Sequence, residues 1–164
     1  MRPQDVAVLL KIAALGEKPW LAREVAAALH LSPAEVSNSL KRSALAGLID
    51  TGKRKVAVQA LLDFLQHGLA YVFPARPGGM VRGVPTAHSA SPLRSKFMSE
   101  ETYVWASAMG EERGHEIPPL YPGAVAASLN DPEFHALLAL TDALRVGRTR
   151  ERAEAAKELA RRLK

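Results

Sequence analysis

Three polar residues, Asn38, Lys41 and Arg42, fall on the side of a predicted helix that faces away from its apolar residues. A side-chain amide can form two hydrogen bonds with a base edge, and Lys and Arg side chains pair with phosphates. Apolar residues of the same segment, among them Val36 and Leu40, recur at the spacing of one buried helix face. One face therefore packs, and the other has the chemistry of a nucleic-acid contact.

The start of this helix carries a clear local signal. Ser32 can accept a hydrogen bond from a backbone N–H of the first turn, Pro33 stands where a missing N–H costs nothing, and Glu35 can complete a capping box. We therefore predict a helix over residues 33–46. A second amphipathic helix, residues 21–30, precedes it with only a short link between them. This pair predicts a helix-turn-helix.

The helix pair resembles a known family. The apolar spacing of helix-turn-helix motifs is matched by Ala26, Leu29, Leu31, Val36 and Leu40. The stretch LSPAEVSNSLKRSALAGLI resembles the recognition helix of bacterial winged-helix regulators of the MarR and ArsR type, and the resemblance covers about residues 5–55. It implies a winged helix-turn-helix that binds double-stranded DNA as a homodimer and regulates transcription.

The resemblance also implies which residues face the major groove, namely Ser37, Asn38, Lys41 and Arg42. His30 stands where the turns of this family often carry Gly. A non-Gly residue at positive φ is uncommon, although His is among the better tolerated.

A basic turn follows the recognition helix. Residues 50–56, DTGKRKV, hold three consecutive cations, and a hairpin at this place in winged-helix proteins lies along the phosphate backbone. The alternative interpretation is a solvated loop. Residues 57–67 have a helical pattern, so the second wing strand is expected to be very short or displaced. The complete predicted DNA-contacting set is Ser32, Ser37, Asn38, Lys41, Arg42, Lys53, Arg54 and Lys55.

Basic charge concentrates near this motif. The 164-residue chain has a formal net charge of +5 and a pI near 9.7. Residues 1–60 carry nine Lys or Arg and five Asp or Glu, whereas residues 100–140 carry one and seven. A basic surface next to a helix pair favours a nucleic-acid partner. Single-stranded RNA is the weaker interpretation, because only 5% of the residues are aromatic and able to stack on bases.

Other chemistry finds little support in the sequence. The chain has no Cys, which fits a reducing cytoplasm and excludes a cysteine zinc site. The five His residues form no close-spaced ligand set, and neither a Walker loop nor a nucleophile elbow occurs. Neither a signal peptide nor an apolar membrane-spanning stretch is apparent. We expect a cytoplasmic, nucleoid-associated protein that is not an enzyme and uses no cofactor or metal.

The rest of the chain contains a weak internal repeat of short aromatic runs, each followed by a Gly-bearing turn. This pattern predicts two β-hairpins, about residues 70–84 and 101–117, that are able to pair as one sheet and are joined by an exposed connection over residues 85–99. Helical patterns return over residues 131–146 and 150–163. The narrow apolar stripe of the last helix predicts packing on the parent domain or on a second copy.

The predicted fold class is α+β, mostly α, with an N-terminal winged helix-turn-helix followed by two small β-hairpins and C-terminal helices. The predicted domains are residues 1–68 for DNA binding, 69–120 for the hairpins and 121–164 for dimer or partner contacts.

An alternative function is a protein-interaction module. The stretches YVFP and ALLALTDALRVGRTRER are similar to those of uncharacterised bacterial winged-helix proteins of antitoxin type. This fainter resemblance implies the antitoxin of a toxin–antitoxin pair, which would bind a protein partner through its C-terminal half and use DNA binding for autoregulation.

Overall fold

A computed structural model describes residues Met1–Lys164 as an α+β fold that is mostly helical. No helix is both long and apolar enough to cross a membrane. The helices are α1 (Pro3–Leu15), α2 (Ala22–Leu29), α3 (Pro33–Leu45), α4 (Val58–His67), α5 (Leu69–Val72), α6 (Ala124–Leu129), α7 (Pro132–Val146) and α8 (Thr149–Leu163). The strands are β1 (Met80–Pro85), β2 (Tyr103–Ala106) and β3 (Glu112–Glu116).

The predicted helix pair is present with boundaries within one residue of those expected. Helix α2 ends at Leu29, and the φ of 55° and ψ of 41° of the next residue, His30, place it in the left-handed region. Helix α3 begins at Pro33, and the Ser32 hydroxyl accepts a hydrogen bond from the backbone N–H of Glu35 at 3.1 Å. The reciprocal half of the predicted capping box is absent, because the Glu35 carboxylate accepts hydrogen bonds from Gln4 and Arg42 instead.

The segment after α3 forms one isolated bridge rather than a pair of strands. Ile49 and Val56 form a single antiparallel bridge, and the turn of residues 50–55 lies between them. Helix α4 begins two residues after Val56. The turn of residues 50–55 is called the basic turn below.

The two predicted hairpins are wrong in their pairing. Strand β1 pairs antiparallel with both β2 and β3, while β2 and β3 pair parallel to each other, so that the three strands close into a small barrel. Tyr71 and Val72, expected in the first strand, lie instead in α5, which buries Leu69 in the core. The pairing is non-local, and the local alternation of residues does not specify it.

Close strand packing in this barrel depends on glycine. A Cβ atom at Gly83 would lie 1.9 Å from the carbonyl oxygen of Trp105, and one at Gly114 would lie 2.5 Å from that of Thr102. Both distances are far below van der Waals contact. Gly83 and Gly114 therefore serve in the strands as sites of close backbone contact.

The prediction of an exposed connection over residues 85–99 is wrong for its first part, since residues 86–90 are buried and pack against α7. Residues 91–99 are mostly exposed, as predicted, with Leu93 buried among them. The Thr86 hydroxyl and the Trp105 Nε1–H each donate to Asp142 Oδ2 at 2.7 Å, and Arg145 Nη1 donates to Asp142 Oδ1 at 2.8 Å. A buried carboxylate on α7 thus binds the connection and β2, which is why a polar segment can be buried here.

The apolar stripe of α8 packs on the parent domain. Ala155, Leu159 and Leu163 belong to one cluster of 36 buried residues, which also contains Leu9 of α1 and Trp105 of β2. Residues from all three predicted domains therefore share a single hydrophobic core. The predicted boundaries at residues 68 and 120 do not separate independent cores.

Candidate nucleic-acid interface

The outward face of α3 is polar and free of ion pairs. Ser37, Asn38 and Lys41 are all exposed, while Val36 and Leu40 on the opposite face are buried. The salt bridges of α3 involve only Glu35 and Arg42. Helical periodicity predicted this division for Asn38 and Lys41, and the family resemblance added Ser37. The structure brings the three side chains together on one surface.

Arg42 has a different place from the one predicted for a phosphate contact. Its guanidinium donates from Nε to Asp5 Oδ2 at 2.9 Å and from Nη2 to Asp5 Oδ1 at 2.7 Å. The same Nη2 donates to Glu35 Oε1 at 2.6 Å. The Asp5 side chain has no exposed surface, and that of Arg42 is 25% exposed. Arg42 therefore joins α3 to α1. The three charged side chains are called the Asp5–Arg42–Glu35 cluster.

Hydrogen bonds stabilise the charged forms in this cluster. Burial by itself raises the pKa of Asp5, but the hydrogen bonds from Arg42 and from the Arg2 backbone N–H outweigh it and hold that pKa below its usual value. The hydrogen bond from Arg42 likewise lowers the pKa of Glu35. The same carboxylates raise the pKa of Arg42. All three groups are charged at neutral pH, so the guanidinium is already neutralised within the chain.

The basic turn is shaped by one carboxylate. Asp50 Oδ1 accepts hydrogen bonds from the backbone N–H groups of Arg54 at 2.6 Å and of Lys55 at 2.7 Å. These bonds lower the pKa of Asp50, the one from Lys55 having the largest effect. Lys53 adopts a positive φ of 56°, which turns the chain between Asp50 and Arg54. The sequence predicted the cations of this turn but not the role of Asp50.

Two of the turn's three cations have neighbours within the chain. The Arg54 guanidinium lies 4.2 Å from the centroid of the Trp20 ring and donates to the Trp20 carbonyl oxygen at 2.9 Å. Stacking and hydrogen bonding together fix its orientation. Lys55 lies 3.7 Å from Glu17, but both side chains are largely exposed, and such surface pairs contribute little. Lys53 and Lys55 therefore remain available to an anion.

A C-terminal segment contacts the turn between α2 and α3. The Tyr121 hydroxyl donates to the Leu29 carbonyl oxygen at 2.9 Å, which satisfies one of the unpaired carbonyls at the end of α2. Burial raises the pKa of Tyr121. A Cβ atom at Gly123 would lie 2.8 Å from the same oxygen. Sequence reasoning missed this contact, since nothing local to residues 121–123 indicates it.

The larger cavities lie away from α3. One groove of about 610 Å³ is lined by residues 97–101 and 148–151, where Arg148 and Arg150 face Glu100, Glu101 and Glu151. Across the chain, no group of three or more His, Asp or Glu residues is placed to hold a metal ion. Comparisons with protein-family models, with curated proteins and with solved structures found no match.

Proposed function

We propose that this protein binds double-stranded DNA in a sequence-specific way and acts as a transcriptional regulator. The single observation that carries the proposal is the exposed polar face of α3, where Ser37, Asn38 and Lys41 are free of ion pairs and the basic turn follows directly in the chain. A helix of this kind enters the major groove, and a basic loop beside it contacts phosphates.

The residues divide into two roles. Ser37 and Asn38 contact base edges, because a hydroxyl and an amide can each read a donor and acceptor pattern in the major groove. Lys41, Lys53 and Lys55 contact phosphates, which supply most of the affinity and fix the register. Arg54 is not among them, because it is held against Trp20. Arg42 is left out, because the Asp5–Arg42–Glu35 cluster already neutralises it. Ser32 acts as the cap that places the start of α3.

Affinity selection from a pool of random-sequence duplexes tests the proposal. We expect the full chain to enrich a defined motif, and inverted half-sites in that motif would support the predicted homodimer. On the enriched duplex, Asn38→Ala should lose discrimination at one base pair, worth about 1–3 kcal/mol for a bidentate contact. Asn130→Ala is the matched control, since Asn130 is an equally exposed amide at the end of α6.

Two results would contradict the proposal. Selection that enriches no motif would leave only non-specific attraction to a basic protein. Enrichment of a motif that Asn38→Ala and Asn130→Ala bind equally well would mean that α3 does not read the bases.

A second candidate function is the protein-interaction module, such as the autoregulating antitoxin. The adjacent exposed side chains of Tyr71 and Val72 favour it, because they belong to the YVFP stretch that carries the resemblance to antitoxin-type proteins. Expression together with the product of a neighbouring gene and purification of both tests it. Loss of the partner from Tyr71→Ser, with DNA binding retained, is the result that this candidate requires.

A further inference from the structure

The exposed face of α3 has an unusual composition for a DNA-reading helix. Ala34, Asn38, Lys41 and Leu45 follow one another at intervals of three or four residues and are all exposed, so they form a single line along the helix. The line spans about 16 Å at the helical rise per residue, which is long enough to follow several base pairs in a major groove. Leu45 is 93% exposed, the most exposed Leu of the chain.

No Arg side chain is free to contact guanine from this line. The commonest specific contact to guanine is a bidentate pair from Arg or Lys to its O6 and N7 atoms. The one Arg of α3 is Arg42, and three hydrogen bonds of 2.6–2.9 Å hold its guanidinium on Asp5 and Glu35. Arg54 in the basic turn is stacked on Trp20. Lys41 is the one unpaired cation of α3, and the proposed function places it on phosphate rather than on a base edge.

The other members of the line suit A·T base pairs. Asn is the side chain that pairs with both N6 and N7 of adenine, and Asn38 lies near the middle of the line. Small and apolar side chains contact the thymine methyl group, and Ala34 and Leu45 lie at the two ends. A thymine methyl group that covers the exposed Leu45 side chain would remove apolar surface from water, which stabilises the complex.

We infer that the preferred ligand of α3 is an A·T-rich duplex, in which Asn38 reads adenine and Leu45 contacts a thymine methyl group. The inference rests on the proposed function and adds to it the class of DNA sequence. It also makes Leu45 a specificity-determining residue. Helical periodicity alone would not predict such a role for an apolar side chain.

Replacement of thymine by deoxyuridine tests the inference, because it deletes the methyl group and leaves base pairing intact. We measure fluorescence anisotropy of the full chain on the selected duplex, with thymines replaced one at a time. At the contacted thymine the wild-type affinity should fall about fourfold, the factor expected for one lost methyl-sized contact. Leu45→Ala should bind the thymine and deoxyuridine duplexes equally. Leu129→Ala on α6, which is also exposed, should keep the wild-type difference.

The outcomes separate this inference from the proposed function. The preference for A·T pairs is overturned if the selected motif is G·C-rich, or if no deoxyuridine replacement changes the affinity of the wild-type protein. Neither result contradicts DNA binding itself. Absence of binding to any duplex overturns the proposed function as well. A loss at one thymine that persists in Leu45→Ala overturns the assignment of Leu45.

Discussion

Replacing Arg42 with methionine removes the guanidinium and leaves Asp5 as a carboxylate without exposed surface. Breaking a buried ion pair by removing one partner costs about 3–5 kcal/mol. Because the Arg42 side chain is 25% exposed, we expect a loss near the lower value, about 3 kcal/mol. For a domain of this size each kcal/mol lowers Tm by about 2–4 °C, so Tm should fall by about 6–12 °C.

The pH dependence of stability should change as well. In the wild type, folding lowers the pKa of Asp5. The ionised carboxylate therefore contributes its full share of the folding stability above the pKa of the unfolded state, and this share is lost as the pH falls through the lower pKa of the folded state. In Arg42→Met, Asp5 loses the hydrogen bonds that lower its pKa most while it stays buried, so its folded pKa should rise relative to the wild type. The variant should therefore gain stability relative to the wild type as the pH is lowered from 7 towards 4.

Urea denaturation at pH 7 and at pH 4.5 measures both effects. Lys41→Met is the matched control, since it removes a neighbouring charge that is exposed and unpaired, and it should stay within about 0.5 kcal/mol of the wild type. Adding Asp5→Asn to Arg42→Met should restore part of the lost stability. Equal denaturation midpoints for Arg42→Met and Lys41→Met at both pH values would refute the structural role of Arg42.

Three further substitutions test the fold by urea denaturation. Ser32→Ala removes the N-cap of α3 and should cost about 1 kcal/mol, whereas no loss would mean that water replaces the cap. Gly83→Ala places a Cβ atom against the Trp105 carbonyl and should cost about 3 kcal/mol or more, while Gly79→Ala, with open space around it, should be nearly neutral. Asp142→Asn leaves the Arg145 guanidinium, only 5% exposed, without its anion and should cost about 3–5 kcal/mol; a neutral result would exclude a stabilising ion pair.

The helices could be predicted from sequence because their signals are local. Pro33 after Ser32 specifies the start of α3, and the apolar spacing of residues 6–14 specifies α1. The barrel could not be predicted in the same way. Its parallel pairing of β2 with β3 depends on the antiparallel contacts that both make with β1, and no short window of sequence contains that information.

The same difference between local and long-range signals applies to the candidate site. The helical period and the family resemblance predict that Ser37, Asn38 and Lys41 are exposed, and all three are exposed in the structure. From sequence, Arg42 is predicted to contact phosphate, because its partner Asp5 lies 37 residues away. Nothing near Asp5 in the sequence of α1 indicates that it pairs with Arg42. A buried carboxylate needs a partner, and only the fold shows which cation supplies it.

Fluorescence anisotropy of the full chain on the selected duplex and on a scrambled one, across a salt series, tests DNA binding by α3 and the basic turn most directly. Three phosphate contacts, from Lys41, Lys53 and Lys55, predict that log K falls with log salt with a slope of about −2.7 per bound chain. Lys55→Gln should reduce that slope by about one. Tighter binding of the selected duplex with these slopes is the predicted result. Equal binding of both duplexes, or a slope that Lys55→Gln leaves unchanged, would contradict this assignment of the interface.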